Sequence, residues 1–466
     1  MNSMRMRKVN RLHFVGIGGV GMAGIAEILL GEGYEISGSD IHDTPLTQRL
    51  RMLGAKIYLC HKAEHVIGAD VLVRSSAISL DNSELQEAIR LRIPIVQRAA
   101  MLAELMRFRY GIAIAGTHGK TTTTSLVASI FAQAGKDPTF VIGGKLNSAQ
   151  TNARLGKGEY LIAEADESDK SFLLLNPVIS VVTNIDTDHL CNYDGSFTKV
   201  KEAFVAFIQR LPFHGLAIMC LDDPVVAELL PELSRPTITY GFSKKADVQI
   251  DHVVSRGMMS EFTINGYPFQ LNLPGAHNVL NATAAYIVAK QVGIDDADIN
   301  QALTQFAGVG RRFQDRGTVR VADKTVQVID DYAHHPKEIA ATLAAARSVW
   351  PDRRIVGIFQ PHRYSRTIEQ FDDFCRVLSS FDVLLLLDVY AAGESMIEGG
   401  DSKTLAKSIR QRNYVDPILV QEIELREILS HIIKDGDILL MMGAGNITHM
   451  ATALVSDFNT MHKCPE

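Results

Sequence analysis

Short apolar runs bounded by Gly, Asp or Asn alternate with longer segments of helical period along the whole chain. That alternation predicts βαβ units and mostly parallel sheets, an α/β fold. Strands are expected over 12–15, 35–37 and 71–74, then over 110–115, 161–163 and 179–183. A last group is expected over 326–329, 355–359, 383–387 and 438–442. Between 236 and 273 the pattern is locally more β-rich, with alternation at 261–264 and an Asn265-Gly266 turn, and it predicts an antiparallel addition. Gly308 and Gly310 mark a boundary, so domains of 1–108, 109–312 and 313–466 are expected. A chain of 466 residues exceeds what one hydrophobic core organises, which suits three domains.

Composition narrows the partners. Apolar residues are 46% and charged residues 21%, ordinary for a globular protein, and the net charge of −6 gives no basic field for nucleic acid. No apolar run reaches the roughly 18 to 20 residues of a spanning helix, so membrane insertion is not expected. Arg5, Arg7 and Lys8 ahead of Leu12 imitate a signal peptide, but the apolar run is broken by glycines and meets Glu27. Cys60, Cys191, Cys220, Cys375 and Cys464 are scattered and form no Cys-x-x-Cys pair, which fits a reducing, cytoplasmic location. No partner group marks Cys191 as a nucleophile.

The chemistry centres on Gly116-Thr117-His118-Gly119-Lys120-Thr121, between the strand over 110–115 and a helical pattern carrying Leu126, Val127, Ile130, Phe131 and Ala134 on one face. Glycines let backbone N–H groups close round phosphate, the helix N-terminus adds about half a positive charge, and Lys120 adds a full one. Thr121 would face Mg²⁺. Because position 114 is Ile, the usual phosphate-loop spacing is not met and the loop is a shortened variant. Two later strands run into Glu164-Ala165-Asp166-Glu167-Ser168-Asp169 and Asn184-Ile185-Asp186-Thr187-Asp188-His189. In a parallel sheet these ends share one crevice, and hard carboxylate oxygens suit Mg²⁺. A solvated acidic loop and an ordinary surface histidine are the plainer alternatives.

Near the start, Gly16-x-Gly18-x-x-Gly21 follows a strand and Asp40 lies about 20 residues beyond, the pattern of a dinucleotide site. Its physics is generic, since any pyrophosphate satisfies a tight glycine turn. Ser75 and Ser76, after the strand over 71–74, either contact the same ligand or form a polar loop. Gly443-Ala444-Gly445-Asn446 after the strand over 438–442 is either a further anion nest or a packing turn.

With Gly-Thr-His-Gly-Lys-Thr-Thr, Glu164, Asp188-His189 and Pro274-Gly275-Ala276-His277-Asn278-Val279-Leu280-Asn281-Ala282 in place, the chain resembles the Mur ligase family over nearly its whole length. Gly16-Ile17-Gly18-Gly19-Val20-Gly21-Met22, Asp330-Asp331-Tyr332-Ala333-His334-His335-Pro336 and His362-Arg363-Tyr364-Ser365-Arg366-Thr367 resemble the members that join L-alanine to UDP-N-acetylmuramate. The resemblance implies a Rossmann-like UDP-sugar domain, a central phosphate-loop ATPase and a Rossmann-like C-terminal domain that helps bind the amino acid. It implies ATP and Mg²⁺, and a monomer or weak homodimer is expected.

Carried over by residue, the resemblance assigns Gly116, Thr117, His118, Gly119, Lys120, Thr121 and Thr122 to ATP phosphate, and Thr121, Glu164 and His189 to the metal. His277, Asn278 and Asn281 fall near adenine or its sugar, although alone they read as helix-start caps. Arg312 is assigned to phosphate, against a plain boundary salt bridge, and Asp331 to nucleotide. Gly16, Gly18, Gly19, Gly21, Asp40, Ser75 and Ser76 fall to the UDP-sugar. Tyr332, His334, Arg363 and Arg366 fall to the acyl carboxylate or the alanine, and a helix starting at Arg363 would put both arginines on one face. Lys120, Glu164, His189, Arg312 and His334 are the expected catalytic set, His334 or His335 taking the amine proton after an acyl phosphate forms. Alternatives are the related ligase that attaches a whole peptide, an NAD-dependent dehydrogenase, and a nucleotide switch or motor ATPase.

Overall fold

The computed structural model describes residues 6, 8–321 and 323–460. Arg5, Arg7 and Cys464 lie outside them. Two compact units emerge. The first runs through His252 and takes back Phe262–Leu271 and Val279–Ala307; the second holds Val253–Glu261, Asn272–Asn278 and the chain from Gly308.

Two sheets organise the first unit. The smaller orders Lys56–Tyr58, Glu35–Ser39, Arg11–Val15, Val71–Arg74 and Ile95–Gln97, all parallel. Its order reverses between Arg11–Val15 and Val71–Arg74, and the crevice outside such a switch point is where α/β sheets bind ligands. In the larger sheet Thr139–Leu146, Tyr160–Glu164, Tyr110–Ala115, Ile179–Val182, Leu216–Cys220 and Thr237–Gly241 lie side by side and parallel. Strands buried on both faces read as nearly continuous apolar runs, and Ile179–Val182 is buried at every position with Ser180 its one polar residue.

The two edges depart from the expected pattern. Thr151–Arg154 pairs antiparallel with Thr139–Leu146, a hairpin the periodicity does not reveal. At the other edge, the antiparallel addition expected over 236–273 begins instead with two parallel pairings, Thr237–Gly241 on Leu216–Cys220 and Val248–Arg256 on Thr237–Gly241. Only Tyr240↔Val248 and Gly241↔Gln249 pair in the second case, so a short loop suffices to bring the chain back alongside in the same direction without a helical crossover. Asp222 receives the N–H groups of Phe242 and Ser243 and fixes that loop. Asn265 and Gly266 both have positive φ, 47° and 86°, as a two-residue hairpin turn needs.

The edge hairpin ties the two sheets together. Asn152 Nδ2 donates to Val20 O at 2.8 Å, at the start of the helix Val20–Gly31. A Cβ at Gly24 on that helix would lie 2.8 Å from Ala153 Cβ, so the helix approaches the hairpin as closely as a glycine permits.

The second unit is built on one sheet ordered Gln314–Val321, Lys324–Asp331, Ile438–Met442, Ile355–Phe359, Val383–Leu386 and Ile418–Leu419. The first pair is antiparallel and the rest are parallel. Ile355–Phe359 and Ile438–Met442 are buried throughout, each large aliphatic side chain contributing about 1.5–3 kcal/mol. Among the described residues no helix is long and apolar enough to cross a membrane.

Candidate nucleotide and substrate sites

The strand Tyr110–Ala115 delivers the chain to Gly116 at φ +128°, where a Cβ would sit 2.1 Å from Thr183 Oγ1. Gly119, at φ +84°, caps the helix Lys120–Gln133 with no side-chain acceptor, leaving its first-turn N–H groups available to an anion. Ile114 is buried inside the strand, so only a short loop remains to be held. Asn184 and Thr183 hold it. Thr117 N–H donates to Asn184 O (3.0 Å), His118 N–H to Asn184 Oδ1 (2.8 Å), and Thr183 Oγ1 to His118 O (2.6 Å).

Lys120 folds back over this loop. Its Nζ donates to Gly116 O at 2.6 Å and lies 2.8 Å from Glu167 Oε2. Burial works against the ammonium, but the carboxylates of Glu167, Asp166 and Glu164 outweigh it and hold Lys120 above its ordinary range. Burial lifts the Glu167 carboxyl to about 7 against the pull of Lys120. Thr121 and Thr122 are buried in the first helical turn.

Glu164 ends its strand and accepts Gly143 N–H at 2.6 Å, and a Cβ at Gly143 would lie 2.7 Å from the other carboxylate oxygen. The edge hairpin therefore positions this carboxylate. His189 takes φ 56°, its N–H donating to Asp188 Oδ1 at 2.8 Å and its Nε2 lying 3.5 Å from Asp188 Oδ2. The Glu164 carboxylate and the Thr121 hydroxyl are hard oxygen donors of the kind Mg²⁺ takes, whereas the His189 imidazole is a less typical one. Asn281, on the helix Ala276–Gln291, packs against the loop, since a Cβ on Gly119 would come 2.6 Å from its Oδ1.

The second glycine turn of this unit is built alike. Gly16 has φ +80°, and Gly19 caps the helix Val20–Gly31 without a side-chain acceptor. Asp40 Oδ2 receives Gly18 N–H at 2.8 Å, so this carboxylate shapes the turn from within. A Cβ on Gly16 would lie 3.1 Å from Ser75 Cβ, which puts Ser75 against the turn; Ser76 follows it and is exposed. Arg98, a residue the motifs do not single out, lies across Gly21; against burial, Lys120 and Ser168, with a smaller part from Arg98, hold the Asp166 carboxyl below its ordinary range.

In the second unit Asp331 is buried and accepts N–H groups from Phe313 and Ala333, both at 2.7 Å. Burial raises its carboxyl to about 6 against the attraction of Arg312. Arg312 and Arg311 lie over the Tyr332 ring, 5.0 and 4.6 Å from its centroid, and Arg312 lies 3.8 Å from Glu338. Burial and then Arg312 lower His277 to about 4, which keeps the ring neutral. Asn278 donates to Pro274 O at 2.8 Å and fixes the turn before its helix.

His334 Nδ1 lies 2.9 Å from Tyr332 O, and its ring is 5.1 Å from Tyr332 and 6.0 Å from His362. His362 stacks on Tyr390 at 5.5 Å, and burial with Arg366 and Arg363 lowers it to about 4. The helix expected to start at Arg363 is Tyr364–Glu369. Arg363 stands before it at φ 72° because its N–H is held by Tyr390 O at 2.9 Å. Arg366 is buried one turn on, near His362. His335 caps the helix Pro336–Val349, accepting Lys337 N–H. The carbonyls of Gly443 and Gly445 receive Arg311, and a Cβ on Gly445 would meet Gln360 and Tyr390 within 2.7 Å, which makes that turn a packing element.

Residues 11–110 match the model of the Mur ligase family catalytic domain, 114–289 that of the Mur ligase middle domain, and 311–445 that of the Mur ligase glutamate ligase domain. A UDP-N-acetylmuramate-alanine ligase from Thermotoga maritima is 30% identical over 97% of this chain and 99% of that one, with a TM-score of 0.80. The chain belongs to the Mur ligase family. It is a ligase of peptidoglycan synthesis, in a family that uses ATP. The fold is shared by a murein peptide ligase from Psychrobacter arcticus (24% identity, 96% and 98% coverage, TM-score 0.68). It is also shared by MurF from Acinetobacter baumannii (18% identity, 90% and 90% coverage, TM-score 0.60).

Within this Mur ligase, Lys120, Thr121 and Asn281 gather at one glycine turn and Gly16, Gly18, Asp40 and Ser75 at another. Tyr332, His334, Arg363 and Arg366 cluster around His362. Glu338 and Tyr390 join these groups without a sequence signal of their own, while Glu167, Asn184 and His362 lie inside sequence motifs that assign them no role. The one legible hint was the acidic run at 164–169, which does not say which carboxylate meets the lysine.

Proposed function

We propose that this ligase joins L-alanine to the lactyl carboxylate of UDP-N-acetylmuramate with ATP, through an acyl phosphate. The observation that carries the reading is the pair of helix N-termini in the first unit, each opened by a glycine and lacking a side-chain cap. One such terminus suits a nucleoside triphosphate and the other the pyrophosphate of a nucleotide sugar. A dehydrogenase would leave the first without purpose. The likeness to the Thermotoga maritima enzyme supports the choice of substrates.

Domains of 1–108, 109–312 and 313–466 then bind UDP-sugar, ATP and amino acid in turn, in the cytoplasm. Gly116, Thr117, His118, Gly119, Lys120 and Thr122 surround phosphate, and His277, Asn278, Asn281 and Asp331 serve adenosine. Gly16, Gly18, Gly19, Gly21, Asp40, Ser75 and Ser76 hold the UDP-sugar. Thr121, Glu164 and His189 hold Mg²⁺, which when bound offsets phosphate charge. Lys120 leaves Glu167 for the γ-phosphate and, with Arg312, stabilises charge as the phosphoryl group passes to the carboxylate oxygen. Tyr332, His334, Arg363 and Arg366 orient the acyl carboxylate and alanine, arginine forks being suited to carboxylates. His334, oriented by Tyr332 O, accepts the amine proton as the nitrogen attacks the acyl carbon and phosphate departs.

The test is phosphate release with ATP, Mg²⁺ and UDP-N-acetylmuramate, adding L-Ala, Gly, L-Ser or a peptide singly. Release that needs L-Ala is expected. Release independent of any amino acid overturns the reading, and release driven by the peptide favours the peptide ligase.

A further inference from the structure

Away from the phosphate loops, the first unit buries a carboxylate among three imidazoles. Glu84, in the first turn of the helix Ser83–Arg90, is 0% exposed. Its Oε1 lies 2.9 Å from His65 Nδ1 and 3.3 Å from His13 Nε2. Its Oε2 lies 2.9 Å from His61 Nδ1 and receives the Ser39 hydroxyl at 2.5 Å. His13 is itself fully buried and bonded to Ser37 Oγ at 2.8 Å, and His65 stacks on Tyr58 at 3.7 Å. The carboxylate occupies the centre of the cluster with hydrogen-bond spacings to each ring, so the group is an anion with its donors rather than a cation site.

The cluster reaches the first glycine turn through a single residue. Ser39 ends the strand Glu35–Ser39, and its carbonyl accepts the N–H groups of Gly16 and Ile17 at 2.9 and 3.0 Å. The next residue is Asp40, whose carboxylate accepts Gly18 N–H. The N–H groups of Gly16, Ile17 and Gly18 thus end on Ser39 or Asp40, and the Ser39 hydroxyl is held by Glu84 with His61 beside it. Desolvating a carboxylate costs several kcal/mol, and an apolar residue of similar volume would stabilise the fold as well. Such an arrangement is explained by what it positions.

We infer that Glu84, acting through Ser39 and backed by His13, His61 and His65, is the positioning residue that sets the Gly16–Gly18 turn for the pyrophosphate of a nucleotide sugar. This rests on the assignment of that turn to the UDP-sugar. Glu84 touches no substrate; it determines whether the turn's N–H groups stand ready or must be ordered by the ligand.

The experiment uses the full chain with Glu84→Gln and Ser39→Ala, UDP as the probe of the turn and ATP as the control. Loss of a hydrogen bond to a charged group predicts a roughly tenfold rise in the dissociation constant of UDP for both variants, by calorimetry. ATP affinity should be unchanged, KM for UDP-N-acetylmuramate should rise about tenfold, and kcat at saturation should stay within about twofold. If the glutamine variant does not fold, the serine variant decides, because it leaves the carboxylate and its histidines in place. Unchanged UDP affinity in a folded variant overturns the inference, as does an equal loss of UDP and ATP affinity, which would mark a general structural role. Failure of the wild-type protein to bind UDP instead refutes the assignment of the turn, and the inference falls with it.

Discussion

Replacing Lys120 with Met exposes how the phosphate loop manages its charges. In the wild-type protein the Lys120 ammonium lies 2.8 Å from Glu167, whose residue is 3% exposed and whose carboxyl is raised to about 7. Without the cation that carboxyl must rise further. An acid with a folded pKa above its unfolded value contributes most below the unfolded value, and stability falls as pH rises until the folded pKa is passed. The wild-type penalty therefore levels off near pH 7, whereas the variant's keeps growing. Each pH unit above 7 should widen the gap by about 1.4 kcal/mol, giving about 2 kcal/mol by pH 8.5 and little from this group at pH 6. Protonation keeps the loss below the roughly 3–5 kcal/mol usual for a broken buried pair. Urea unfolding at pH 6, 7 and 8.5 measures this for wild type, K120M and K120M/E167Q, and the double variant should recover most of the loss at pH 8.5. A K120M deficit that does not change with pH, or one that E167Q leaves intact, refutes the reasoning. Activity should fall about 10²- to 10³-fold at every pH, since the cation acts on the transferring phosphoryl group.

Four further outcomes are expected. His277, lowered to about 4, resists protonation in the fold, so its penalty grows as pH falls from about 6.5 towards 4; His277→Gln should gain on the order of 2 kcal/mol relative to wild type between pH 7.5 and 4.5, by denaturant titration. Gly119→Ala places a Cβ 2.6 Å from Asn281 Oδ1 at φ +84° and should cost about 1–2 kcal/mol and at least tenfold in ATP affinity, read by calorimetry. Glu164→Gln should raise the Mg²⁺ concentration for half-maximal phosphate release by roughly tenfold or more, because a neutral amide is a poorer hard-cation ligand. Arg366→Lys should raise the KM for L-alanine about tenfold while leaving ATP affinity unchanged, as a point charge replaces a bidentate fork.

The alternation of apolar strands with helical segments determined the three mostly parallel sheets, because a strand covered on both faces reads as a nearly continuous apolar run, as Ile355–Phe359 and Ile438–Met442 do. The glycines of both phosphate-type turns were legible for a comparable reason: positive φ at Gly16, Gly116 and Gly119 is a local demand that few residues meet. Sequence could not show what comes close through space. The hairpin Thr139–Leu146 with Thr151–Arg154 supplies the Gly143 N–H that holds Glu164, a contact set by sheet order rather than by spacing along the chain. Arg363 reads as the first residue of a helix until Tyr390, distant in sequence, claims its N–H and turns it out of the helix. Glu84 lies in an unremarkable helical stretch, and only packing brings His13, His61, His65 and Ser39 to its carboxylate. Backbone conformation and burial pattern are local properties that residue order can encode directly, whereas the pairing of charges depends on which strand ends the fold lays side by side.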